Sequence, residues 1–445
     1  MSALMLVALM AAVPAATPIS LEQARAEGRK NTQALLSLLD VDRAEQDVRL
    51  SRSTLLPQVG FSTSAGGAYF GRQRIISTIP NPDGDGFIQR PVEVPPNTFG
   101  NFELSLSITQ ILYDRGRWKQ LEQSGAVAEA IRGQAQEQAD ASELEAISRF
   151  FALYRSQATI QVLEATVKRS EEQLERARAL FEAGRVGRGE ELAALVNLGN
   201  DRINLLQRRA QLVLDQAQLA VWLARPGAEP LEAQAPETLS AEPAPVPAFE
   251  TAVAEARQRR PLIQALQQQV RAASLARDVA RAEYLPRLLA QGSYSRSDPT
   301  ADLVFTEPRL QNTLSGAVVL QWDIFTGLST GARVSRSDAS IRTAELNLAQ
   351  AERELEAEVR RTLEALQVQI SSAKLAADNR EAALQSLALA EERFKAGAGS
   401  TLEVRDAQLK LTQSELVLLE NRVNVEVARF AVTRAMGMLS PGESK

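Results

Sequence analysis

The strongest constraint in this sequence is that its two halves repeat one plan. Leu21-Glu22, Ala24, Ala26-Glu27 and Arg29 recur at the spacing of Phe249-Glu250, Ala252, Ala254-Glu255 and Arg257. Leu56-Pro57 is answered by Leu285-Pro286, and Ala152-Leu153 by Ala365-Leu366. Phe181, Ala183-Gly184, Glu190 and Ala194 match Phe394, Ala396-Gly397, Glu403 and Ala407, again at equal spacing. Matches in this order, across nearly all of both halves, mean that one structural unit has been duplicated.

Each half reads helix, strand, strand, long helix, tip, helix. The first helix is expected over residues 20–54, opened by a capping box of Ser20 and Gln23 and closed before Pro57. Proline-free stretches over 117–182 and 328–395 predict helices on the order of 100 Å long, at about 1.5 Å per residue. Pro226, Pro230, Pro236, Pro243, Pro245 and Pro247 mark a surface linker between the halves. Strand periodicity is clean at Phe102, Leu104, Leu106 and Ile108, interleaved with Glu103, Ser105, Ser107 and Thr109. Leu314, Gly316, Val318, Leu320 and Trp322 alternate in the same way in the second copy. Strands of about ten residues, apolar on one side and polar on the other, suit a membrane β-barrel or a half-buried soluble sheet. Tyr69, Phe70, Phe99, Tyr294 and Phe305 fall near the hairpin ends. The last helix carries two heptad stripes, one of Leu402, Leu409, Leu416, Val423 and Phe430, the other of Val404, Leu411, Leu418, Val425 and Val432. A two-residue offset is about 200° on a helix, so the stripes lie on opposite sides. The first copy has Leu198, Leu205, Leu212 and Leu219 opposed to Val196, Ile203, Ala210 and Ala217. A two-stranded coiled coil needs one seam; two opposed seams describe a helix in the wall of a water-filled tube.

Composition narrows the function classes. Aromatics are 5% and the formal net charge is −5, without a Lys/Arg patch for nucleic acid. Cysteine and histidine are both absent, which removes disulfides, Cys/His zinc sites, thiol nucleophiles and Ser-His-Asp triads. Carboxylates such as Glu171 and Glu172 stand beside Arg176 and Arg178 and read as solvated helix pairs rather than as a catalytic pair. No enzyme and no cofactor are expected. Asn81, Asp83, Asp85 and Gly86 imitate the start of a calcium loop, but its twelfth position is Val92, so a polar turn is expected. Ala3 to Ala16 is an apolar run ending in small residues, which reads as a secretory signal over 1–16, although no Lys or Arg precedes it. No later run is long enough for a transmembrane helix.

The order of Leu56-Pro57 and Leu285-Pro286, the strand exits Gln110-Ile111-Leu112-Tyr113-Asp114 and Gln321-Trp322-Asp323-Ile324-Phe325, and the tip that runs from Arg393 to Val404 resembles the TolC-like outer-membrane efflux protein family. The first tip, which runs from Phe181 to Glu190, departs from that pattern by a Gly where Ser or Thr is usual. The resemblance implies a mainly α fold with β. Long helical hairpins form a periplasmic α-barrel, and two β-hairpins contribute four strands to a trimeric membrane β-barrel. It divides the chain into a signal peptide, a first repeat over 17–230, a proline-rich linker over 231–248 and a second repeat over 249–440. It implies an outer-membrane channel of a tripartite efflux or type I secretion system, in a Gram-negative bacterium, partnered by a periplasmic adaptor and, through it, an inner-membrane pump. Gly184, Arg185, Gly187, Arg188, Gly397, Gly399 and Ser400 are the expected adaptor-docking residues. Phe102, Leu104, Leu106, Ile108, Val318 and Leu320 are expected to face lipid. The alternative is a periplasmic adaptor or coiled-coil scaffold without a pore.

Overall fold

The computed structural model describes residues 16–236, 239, 245–300, 304, 306 and 312–439. Residues 1–15 of the expected leader, Phe305, much of the proline-rich linker and residue 440 lie outside them. In chain order the elements are β1 (Thr17–Ile19), α1 (Leu21–Gly28), α2 (Thr32–Ser53), β2 (Gln58–Phe70), β3 (Gln73–Pro80), β4 (Phe87–Val94), β5 (Asn97–Tyr113), α3 (Arg115–Glu182) and α4 (Arg188–Trp222). The second half gives β6 (Leu231–Ala233), α5 (Phe249–Arg259), α6 (Pro261–Ala282), β7 (Arg287–Asp298), β8 (Asn312–Gln321), α7 (Ser329–Lys395) and α8 (Thr401–Ala435). Two compact units result, one of Met1–Arg43, Ala128–Val270 and Ala344–Lys445, the other of Ala44–Val127 and Arg271–Thr343.

The first unit is helical, and its contacts repeat with the sequence. Near one tip Leu174, Ala177, Ala194 and Leu198 cluster; near the other Leu387, Ala390, Ala407 and Leu411 do the same. Arg29 bonds Glu143 at 3.0 Å, and the equivalent Arg257 pairs with Glu356. The main core gathers Phe150, Phe151, Ile147, Leu153, Leu219 and Leu231, all fully buried. Gly28 is required by close approach: a Cβ there would stand 2.2 Å from that of Ala146. One ionic network joins the two halves. Arg260, 4% exposed, donates to both oxygens of Glu137 at 2.9 Å and lies 3.2 Å from Glu358, while Arg434 reaches Glu137 at 2.7 Å. Burial disfavours the Arg260 charge, but the hydrogen bond and charge of Glu137, followed by those of Glu358, outweigh it and raise the pKa. The guanidinium therefore stays charged at any working pH and ties α3, α6, α7 and α8 together.

Two expectations are corrected here. The first helix is not continuous over 20–54: it breaks after Gly28, and the buried Asn31 side chain accepts from Ala34 N at 2.9 Å to start α2. The second copy breaks before Pro261, where Arg260 takes an extended conformation. The Ser20–Gln23 capping box is present. The linker also does not begin on the surface. Its Leu231–Ala233 pairs in parallel with β1, and Leu231 is fully buried.

The second unit holds a four-stranded antiparallel sheet of order β2-β5-β7-β8 and a separate β3–β4 hairpin. That hairpin's turn is the suspected calcium loop. Asn81 Oδ1 accepts from Asp83 N at 3.2 Å and Gly86 sits at φ 110°, a polar turn. Among the described residues no His/Cys/Asp/Glu group is arranged to hold a metal. Beneath the sheet Ala126, Ala272 and Leu275 form a small core, and Ser51 bonds Ser124 at 2.6 Å.

Candidate functional site

Strand register sorts the sheet into two chemically distinct faces. Val59, Phe61 and Thr63 lie opposite Ile108, Leu106 and Leu104. Those β5 residues in turn oppose Gly292, Tyr294 and Arg296, while Leu288, Ala290 and Tyr294 oppose Leu320, Val318 and Leu314. Directly opposed residues share a face. The expected lipid-facing residues Phe102, Leu104, Leu106, Ile108, Val318 and Leu320 thus stand together. Leu314, Val318 and Leu320 are 83%, 66% and 65% exposed, unlike the inner face of a soluble sheet. This face turns polar toward the loop ends, at Arg296 and Asp298, and at Gln110 near the opposite end. The other face carries Gln58, Ser62, Ser64, Ser105, Ser107, Thr109, Gln291, Ser293, Ser295 and Ser315. Ser293 and Ser315 hydrogen-bond across it at 2.7 Å. The weak alternation of β2 and β7 in sequence hid this, because Gly and Ser occupy their polar positions. The long edges of β2 and β8 have no partner strand among the described residues.

Where the sheet ends, Tyr113, Trp118, Tyr284, Trp322 and Phe325 are all exposed. This aromatic group was not expected; Tyr113 closes β5, Tyr284 precedes β7, and Trp322 and Phe325 follow β8, so the sequence signal was their position at one end of the strands. Trp322 Nε1 donates to Tyr284 O at 3.0 Å, which leaves the ring outside.

The tips are built by backbone geometry. Gly184 and Gly397 sit at φ 68° and 73°, where an L side chain is strained. Each ends its helix by a Schellman motif: Arg185 N donates to Leu180 O and Ala398 N to Arg393 O, at 2.8 and 2.9 Å. Gly187, Gly189 and Gly397 face open space, but a Cβ on Gly399 would come within 3.1 Å of Phe394 N. Gly399 is therefore a packing residue, and it is only partly exposed. Ser400 caps α8 through Glu403 N at 3.2 Å, yet the Glu403 carboxylate turns to Arg393, so only half of a capping box forms. Arg185 and Arg188 are exposed and form no ion pair among the described residues. Glu190 and Thr401 are hydrogen-bonded, which joins the two tips.

Deeper in the hairpins lies a buried ion pair. Arg405 donates to both oxygens of Asp201 at 2.9 Å, and Ser170 donates to the same carboxylate at 2.5 Å. Asp201 holds a seam position between Leu198 and Leu205, both buried. A carboxylate interrupting an apolar heptad was the overlooked signal.

The opposed stripes separate by burial. Leu198, Leu205 and Leu219 are buried within the chain, whereas Val196 and Ile203 are 61% and 53% exposed. In α8, Val404, Leu411, Val425 and Val432 are buried; Leu402 and Leu409 are exposed near the tip, and Val423 is buried in the main core. α7 adds its own exposed series of Val368, Leu375 and Leu389.

A duplicated chain that pairs heptad-striped helical hairpins with two-faced β-hairpins is a channel of the outer-membrane type. The family described as outer membrane efflux protein matches residues 29–225 and 252–438, and the chain belongs to it. Its structure is similar to the Campylobacter jejuni outer membrane channel CmeC, with a TM-score of 0.75 at 15% identity, over 96% of this chain and 87% of that one. It is similar to the Vibrio cholerae outer membrane protein VceC, with a TM-score of 0.72 at 14% identity, over 94% of this chain and 96% of that one. The open-state Neisseria gonorrhoeae channel MtrE gives 0.67 at 15% identity, over 96% and 91%. No curated protein matches in sequence. The poreless scaffold alternative is set aside by this family membership: the protein is an outer-membrane efflux channel.

Proposed function

We propose that the chain works as a homotrimeric, passive conduit from periplasm to exterior, docked through its tips to a periplasmic adaptor and, through that adaptor, to an inner-membrane pump. The observation that carries the trimer is the four-stranded sheet with two open edges. Four strands cannot close a barrel, and roughly eight leave an interior filled by side chains, whereas about twelve leave a pore. Three chains close head to tail when β2 of one pairs with β8 of the next. The exposed stripes of α4 and α7 support the same closure, since each needs an apolar neighbour outside the chain. The adaptor reading rests on open glycines and unpaired arginines at the tips, where a partner helix has room to approach. Cargo of an efflux pump or of a type I secretion system fits equally. Mass measurement of the detergent-extracted particle tests the assembly: three chains per particle are expected, and a monodisperse water-soluble monomer would overturn it. Export in cells lacking their own channel, with crosslinking to the adaptor, tests the conduit.

A further inference from the structure

The polar face of the sheet carries very little charge. Along β2 it presents Gln58, Gly60, Ser62, Ser64, Gly66, Ala68 and Phe70, and along β8 Thr313, Ser315, Ala317, Val319 and Gln321. Across all four strands its ionisable residues are Arg287 and Glu103. Arg287 stands at the end of the sheet and is neutralised by Asp323 at 3.2 Å. Glu103 is different. It stands between Ser64 on one neighbouring strand and Ser297 on the other, and it has no ion pair or hydrogen bond among the described residues. Six positions separate Ser64 from Gln58 at the base of β2, so at about 3.4 Å per residue the carboxylate lies roughly 20 Å along the sheet. It stands midway along β2 and β5, while on the second hairpin it is level with the loop end, one residue before the close of β7.

We propose that Glu103 sets the charge selectivity of the membrane segment of the pore, favouring cations and cationic solutes over anions. This rests on the trimeric conduit proposed above, in which the hydroxyl-rich face lines the lumen and three copies of Glu103 form one ring. A barrel of about twelve strands, spaced by roughly 4.8 Å and tilted by about 40°, has a backbone radius of about 12 Å. The Debye length is about 10 Å at 0.1 M salt and about 30 Å at 0.01 M. Three unpaired carboxylates therefore reach across the whole lumen at low salt, and no lumenal cation inside the strands opposes them. The surrounding serines hydrate passing solutes without preference for either sign.

The test is the reversal potential of the purified trimer in planar bilayers under a KCl gradient. The wild type should prefer K⁺ over Cl⁻, more strongly at 0.01 M than at 0.1 M. Glu103→Gln should lose that preference and Glu103→Lys should invert it. Glu93→Gln, in the outer hairpin where Glu93 pairs with Arg74 at 2.7 Å, should leave it unchanged. Because the chain has no cysteine, Glu103→Cys supplies a single thiol, which a membrane-impermeant cationic methanethiosulfonate should modify. Conducting Glu103→Gln channels with the wild-type reversal potential, or a Glu103→Cys thiol that the reagent never reaches, would overturn the assignment. A trimer with no conductance in any variant would instead overturn the conduit reading on which it stands.

Discussion

At the scale of single residues, the structure separates glycines that shape the tips from glycines that merely leave room. Gly397 is held at φ 73°, so Gly397→Ala should destabilise its tip by about 1 kcal/mol, read as a lower midpoint in thermal melts of the trimer. Gly189 faces open space in the first turn of α4. Gly189→Trp should therefore leave melting and trimer mass unchanged while abolishing export and adaptor crosslinking. Normal export by that variant would remove the tips from the docking mechanism. Gly399 is a poorer probe because a side chain there meets its own backbone. Charge reversal at the exposed Arg185 and Arg188 should weaken adaptor binding only slightly, since exposed pairs contribute about 0–1 kcal/mol. The Asp201–Arg405 pair is another matter. Its side chains are 7% and 15% exposed, and Arg405→Met, which strands a buried carboxylate, should cost about 3–5 kcal/mol in denaturant unfolding.

At the scale of elements, the heptad stripes make a testable division. Leu411 is 3% exposed in a single chain, so Leu411→Ala should lower stability by about 2–5 kcal/mol. Ile203 is 53% exposed there, so Ile203→Asp should spare the folded protomer and weaken assembly, seen as dissociation in detergent at dilutions where the parent trimer persists. Equal loss of protomer stability in both variants would instead indicate a solid bundle. The stripes were legible because heptad spacing depends only on helix geometry. The breaks at Asn31 and Pro261 were less so. Asn31 is three residues before Ala34 in a run that otherwise looks helical, and only its burial turns its side chain onto the backbone. The apolar alternation of β5 and β8 was readable in the sequence, but Val59, Phe61 and Tyr294 needed the register to be placed on the same face. Asp201 and Arg405 are 204 positions apart, and no local pattern links them.

At the scale of the whole molecule, the two-faced sheet should decide where the protein resides. Leu106→Arg places a charge on the apolar face, at a cost of about 2–4 kcal/mol near the bilayer midplane and less toward its edges. Outer-membrane fractions should lose the variant, while the same substitution at Ser107, on the opposite face, should be inserted normally. Insertion of both would mean that the apolar face does not meet lipid. The duplication was the most legible feature because it repeats spacing, and spacing survives where residue identity does not. Its imperfections were not legible: among the described residues the β3–β4 hairpin is found in the first half alone.

The pairing of Thr17–Ile19 with Leu231–Ala233 has a consequence for the order in which the chain can mature. A polypeptide delivered to the periplasm N-terminus first presents β1 at the outset, with its strand partner still more than two hundred residues behind. Ile19 must wait for Leu231 before it can leave water, and the core around Phe150 and Leu219 cannot close without both. Val423 and Leu439 belong to the same core, so the first half is unable to finish while the second is still crossing. That interval leaves a long apolar chain open to periplasmic chaperones, and deleting β1 should prolong its residence on them.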